Sequence, residues 1–106
     1  MVEREIIWTE TAGKQLQQIL DYWLDKNASP EYPKKILQLV EEYIGYILQR
    51  PDSFRLTEHG TNRVCVIGVF SIFFKRKYSK IYITCFWDNR QDPNRLIRIL
   101  RKRKGT

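Results

Sequence analysis

Three runs of β-branched and aromatic residues lie almost end to end in the second half of the chain. They are Arg63-Val64-Cys65-Val66-Ile67, Val69-Phe70-Ser71-Ile72-Phe73-Phe74-Lys75-Arg76 and Ile81-Tyr82-Ile83-Thr84-Cys85-Phe86-Trp87. Such residues suit a pleated, half-buried surface. Their links, Gly68 and Lys77-Tyr78-Ser79-Lys80, are short. Parallel neighbours need a crossover of roughly a dozen residues or more, so these strands must run antiparallel. The runs predict a meander with the strand from Phe70 at its centre. The strands carrying Cys65 and Cys85 then stand two positions apart, about 9.5 Å at ~4.7–4.8 Å per strand. That exceeds the ~7 Å limit for a disulfide, so both side chains are expected as thiols.

A sheet of this size needs a cover, and the first half supplies it. Glu5-Ile6-Ile7-Trp8 reads as a first strand, after which Leu16, Ile19, Leu20, Trp23 and Leu24 recur at helical spacing with Thr9 or Thr11 as N-cap. Lys26-Asn27-Ala28-Ser29-Pro30 interrupts that pattern. A second stripe of Leu37, Val40, Ile44, Ile47 and Leu48, widened by Ile36 and Tyr43, predicts a helix to about Gln49, stopped ahead of Pro51. Two such helices on a short connection make an antiparallel hairpin. A polar stretch from about Asp52 to Asn62 reads as loop, and Asp92-Pro93 reads as N-cap and first position of a short C-terminal helix on which Leu96, Ile99 and Leu100 can pack. The expected fold is a single α+β domain over residues 1–106, β-α-α-β-β-β plus a short helix, with the hairpin on one face of a small sheet.

Charge decides which partners to look for. Residues 1–50 hold 6 basic and 8 acidic side chains, whereas residues 51–106 hold 13 basic and 4 acidic ones. A field this one-sided attracts polyanions or an acidic protein. No run reaches the ~18 uncharged apolar residues of a spanning helix. Glu3, Arg4, Glu5 and Glu10 leave no apolar stretch for a secretory signal, so a cytoplasmic protein without membrane contact is expected. Two cysteines and one histidine cannot make a tetrahedral zinc site, and His59 sits in a Gly-containing polar stretch that reads as a solvated loop. No metal or cofactor is expected.

The element order over about 100 residues resembles the RelE/ParE superfamily of toxins from type II toxin–antitoxin operons. More specific are Gly68 to Arg76, similar to that family's central strand with an aromatic-then-basic ending, and Trp87-Asp88-Asn89-Arg90-Gln91-Asp92-Pro93, similar to its Arg-x-Asp exit from the last strand. Trp8-Thr9 leading into Ala12, and the Leu16, Ile19, Tyr22 and Trp23 stripe, extend the likeness over nearly the whole chain. Lys75 and the Arg90-Gln91-Asp92 stretch match the ParE branch. Ser71 stands where mRNA-cleaving relatives commonly carry Arg, and no Tyr follows Tyr82. The chain departs from the ParE pattern at Asp88-Asn89, where a His usually precedes the Arg.

The resemblance implies a toxin that stops growth by binding DNA gyrase and is neutralised by a cognate acidic antitoxin. The alternative is a ribosome-dependent mRNA endonuclease, and a non-toxic nucleic-acid-binding module is a third reading. For either toxin, Arg63, Lys75, Arg76 and Arg90 are the candidate active residues, gathered on a basic surface if Arg63 faces away from the helices. Asp88 and Asn89 are candidates to orient Arg90. Antitoxin contacts are expected at Leu24, Tyr43 and Ile47 for apolar anchors and at Arg98, Arg101 and Arg103 for carboxylates, over an open sheet. RNA cleavage needs a base and an acid, and no candidate here titrates near neutrality by default.

Overall fold

The computed structural model describes residues 3–27, 29–58 and 60–104; the side chains of residues 27 and 102–104 are outside that description, as are His59 and the side chain of Arg103. In chain order the elements are β1 (Glu5–Trp8), α1 (Glu10–Asn27), α2 (Glu31–Gln49), a 3-10 turn at Pro51–Ser53, β2 (Arg55–Leu56), β3 (Arg63–Ile67), β4 (Phe70–Lys77), β5 (Lys80–Asp88) and α3 (Pro93–Lys104). The sheet is mixed. Its order is β1-β5-β4-β3-β2, with β1 parallel to β5 and the other pairs antiparallel. The strand from Phe70 is central, as the meander predicts. The stretch expected as pure loop contains β2, which pairs Arg55 with Val64 and Leu56 with Arg63 along the outer edge of β3. Two residues are too few to carry a strand signal of their own; a free edge recruits them.

Helices cover the sheet on both faces, which is why β4 and β5 read as continuous apolar runs rather than alternating ones. Cys65, Ile67, Phe70, Ile72, Phe74, Ile81, Ile83 and Phe86 pack against Ile19, Ile36, Val40 and Ile47 of the α1–α2 hairpin. On the opposite face Val64, Phe73, Cys85 and Trp87 pack against Leu96, Ile99 and Leu100 of α3. The sheet is therefore not open, contrary to expectation. Ile83 and Phe86 share the hairpin face although they are three positions apart, where strict alternation would set them on opposite faces. Phe73 pairs with Cys85 and Phe74 with Ile83, so Thr84 is one extra residue in β5 and the bulge shifts the pleat by one. The Thr84 hydroxyl donates to buried Asn62 Oδ1 (2.6 Å).

Local chemistry sets the ends of the elements. Thr9 Oγ1 accepts the Ala12 N–H (3.3 Å) and donates to the Ile83 carbonyl (2.8 Å), so one side chain caps α1 and pins it to β5. Asp92 Oδ1 accepts the Asn94 N–H (2.9 Å) and caps α3. Arg4 Nη1 donates to the Leu48 carbonyl (2.9 Å) at the end of α2, where a cation also suits the helix dipole. The β3–β4 turn places Gly68 at φ +60°, with open space where a Cβ would stand, so the backbone angle alone favours glycine there. Both cysteines are buried thiols, on opposite faces of the sheet, and burial pushes the Cys65 thiol up to about 11. Cys65 therefore stays protonated and unreactive at neutral pH.

Candidate functional site

The expected convergence of four cations does not occur. Arg63 pairs with Phe74 on the hairpin side of the sheet, not the far side. Its Nη1 donates to the carbonyls of Phe54 (2.6 Å) and Asp52 (3.3 Å), which ties β3 to the turn after α2. Arg76 Nε and Nη2 grip the two carboxylate oxygens of Asp52 (3.1 and 3.0 Å), and its Nη1 donates to the Tyr78 carbonyl (3.2 Å). Lys75, half-buried and paired with Tyr82, projects to the opposite face by strand alternation. Arg90 stands at the other end of β4, where the six steps from Phe70 to Arg76 span about 20 Å at ~3.3 Å each.

Around Arg90 the elements diverge and leave a cleft. The pairing of β1 with β5 stops at Trp8 and Ile83, because the chain turns into α1 there. Past that point the outer edge of β5 is met by a side chain instead of a strand: Gln15 Oε1 accepts the Phe86 N–H (2.9 Å). Beyond Gln15, α1, the last residues of β5 and the start of α3 enclose a cavity of about 560 Å³. Its walls carry Tyr22, Trp23 and Lys26 from α1, Trp87, Asp88 and Arg90 from β5 and its exit, and Arg95 from α3. That volume lies within the ~300–1,000 Å³ of ordinary ligand sites.

Arg90 is held on several sides. Asp88 Oδ1 accepts its Nε (2.9 Å) and backbone N–H (2.9 Å), and Oδ2 accepts Nη2 (2.7 Å). The guanidinium lies 5.4 Å from the Trp23 ring and 6.0 Å from that of Phe70. The hydrogen bond from Arg90 holds the Asp88 carboxyl below the usual carboxylate range, and the same bond raises the Arg90 pKa. Among the described residues Nη1 makes no hydrogen bond, so the clamp leaves that one nitrogen for a ligand. Asn89 does not orient Arg90: its Oδ1 accepts the hydroxyl of buried Ser71 (3.0 Å) and fastens the end of β5 to β4.

Lys26 and Arg95 were not singled out by sequence. Lys26 Nζ lies 5.5 Å from the Tyr22 ring and 5.7 Å from Trp23, and Arg95 lies 5.9 Å from Trp87. Only the one-turn spacing of Tyr22, Trp23 and Lys26 hints at this wall; nothing in the chain links it to a residue 69 positions later. The residues expected to anchor a partner are dispersed. Leu24 is exposed on α1, and Tyr43 is half-buried with its ring edge-on to Tyr46. Ile47 is fully buried in the hairpin core and offers no surface, which corrects the expectation of a groove there. Arg98 and Arg101 are exposed on α3. Among the described residues no group of three or more His, Cys, Asp or Glu is placed to hold a metal ion, and no helix is long and apolar enough to cross a membrane.

No protein-family model matches the chain, and no curated protein matches it. A solved chain described as the chromosomal ParDE TA system from P. aeruginosa is similar to it at 24% identity and a TM-score of 0.68, covering 78% of this chain and 92% of that one. With three helices and a five-stranded mixed sheet in the described residues, the chain has a ParE-like α+β fold.

Proposed function

We propose that the chain is the toxin of a type II toxin–antitoxin pair, that it stops growth by binding DNA gyrase, and that an acidic antitoxin holds it inactive. The fold likeness to a ParDE chain supports the toxin reading. The clamped Arg90 carries the choice of a binding mechanism. Its pairing with Asp88 keeps both groups charged across the physiological range, which suits recognition and not proton transfer. An mRNA endonuclease would need a base, an acid and a cation around one phosphate. Arg63 and Arg76 are instead committed to Asp52 and backbone carbonyls, about 13 and 20 Å from the Arg90 end of β4 at ~3.3 Å per residue.

The antitoxin contacts belong to the same proposal. An acidic segment meets Arg98 and Arg101 on the exposed side of α3, and its apolar side chains rest near Leu24 and Tyr43. Rim charges of this kind act on encounter, so reversing both arginines should slow association and flatten its salt dependence. Expression in a susceptible bacterium without the antitoxin is the test of the function. Growth arrest with DNA-damage signalling is expected; arrest with intact supercoiling and cleaved transcripts, seen by primer extension, would replace gyrase by mRNA as the target.

A further inference from the structure

The cleft at Arg90 has features that target docking by a flat protein surface does not require. It is a half-open cleft between three elements, lined by Tyr22, Trp23 and Trp87 and by three cations of which only Arg90 has a carboxylate partner among the described residues. Among the described residues Lys26 and Arg95 form no ion pair. The single carboxylate on its wall, Asp88, is neutralised in place by the fork of Arg90. Two positive charges are left over beside aromatic surface, in a space sized for a compact molecule.

We infer that this cleft binds a nucleoside phosphate. A phosphate group offers several acceptor oxygens to donors converging from different elements, here Arg90 Nη1, Lys26 and Arg95. A planar base finds exposed ring surface on Tyr22, 55% exposed at the cleft wall, beside a Trp23 ring already covered by Arg90 and Lys26. Stacking of a base on such rings tolerates any base identity, so the site reads phosphate and ring rather than sequence. An extended acidic peptide fits less well. Carboxylates on one side of a strand repeat every ~7 Å along a line, whereas these cations come from three elements around one half-open cleft. The inference stands on the cleft alone and holds whether or not the growth-arrest reading does.

Calorimetric titration of the intact protein tests it, with ADP, adenosine, inorganic phosphate, a single-stranded tetranucleotide and a glutamate-rich peptide as probes. ADP should bind saturably, with adenosine and phosphate each weaker by roughly tenfold or more because each supplies half of the contacts. Arg95→Glu and Lys26→Gln should each weaken ADP by about tenfold, while Lys34→Glu, a charge reversal on the exposed side of α2, should leave it within about twofold. Glu in the first turn of α3 complements the helix dipole, so Arg95→Glu should melt like the parent. Tighter binding of the tetranucleotide with the same sensitivity to Arg95→Glu would place the nucleoside phosphate in a nucleic acid; tighter ADP binding would make it a free nucleotide. No saturable binding of either, indifference to Arg95→Glu, or binding of the acidic peptide alone would overturn the inference.

Discussion

The two ends of β4 use the same pair of residue types for different ends. At one, Asp52 holds Arg76 by two hydrogen bonds and stands 3.9 Å from Arg63; the third guanidinium nitrogen of Arg76 goes to the Tyr78 carbonyl, and Arg63 Nη1 goes to the carbonyls of Phe54 and Asp52. At the other, Asp88 holds Arg90 just as firmly, yet the pair forms part of the wall of a cleft with aromatic rings around it and one nitrogen left over. An arginine gripped by an aspartate is a staple when carbonyls take its remaining donors. Where a remaining donor meets a cavity it is available for recognition, the role proposed for Arg90. Burial separates the two carboxylates as well, since the Asp52 side chain is 58% exposed and that of Asp88 only 11%.

The staple should give the largest stability effect. Arg63→Ala strips the partly buried Phe54 carbonyl of its donor and should lower the unfolding free energy by about 2 kcal/mol, read from urea denaturation. A loss below about 0.5 kcal/mol would mean that the carbonyl is served by water and that Arg63 is available for another task.

Acid sensitivity separates the ends next. Arg90 depresses the Asp88 pKa in the folded chain, so the unfolded chain binds that proton more readily. The stabilisation is whole above the unfolded carboxylate value near ~3.9 and is lost as pH falls through the lower folded value. Asp88→Asn should therefore cost about 1–2 kcal/mol at neutral pH and flatten the acid limb of the stability profile. An unchanged acid limb would show that the fork does not persist in solution. The smallest effect belongs to Asp52→Asn, an exposed pair, which should cost no more than about 1 kcal/mol and less in added salt.

Much of this was legible beforehand, for reasons that can be traced. The caps at Thr9 and Asp92, the two helical stripes and the short strand links each carry a local signal, and each is found in place. The face of Arg63 is not legible in the sequence, because Val64, Cys65, Val66 and Ile67 are apolar on both sides and alternation gives no phase to that strand. The bulge at Thr84 and the two-residue β2 arise from pairing and have no signature within their own segments. Arg90 stood out by resemblance, and Asp88 by proximity to it. The cleft itself was not visible, because it is made where β1 ends, α1 begins and α3 returns, and only the fold brings Lys26 and Arg95 to one space.

On the proposed function, the Arg90 end acts while the Arg76 end holds the sheet together. Growth after induced expression, measured beside thermal melting of the purified proteins, compares Asp88→Asn with Arg90→Gln in one chain against Asp52→Asn with Arg76→Gln in another; each double change removes the two hydrogen-bonded charges of its pair together, and Arg63 keeps its carbonyl partners in the second. Both should remain folded, with arrest lost in the first and kept in the second. Arrest that survives the first change, or vanishes in a folded second variant, would contradict the account.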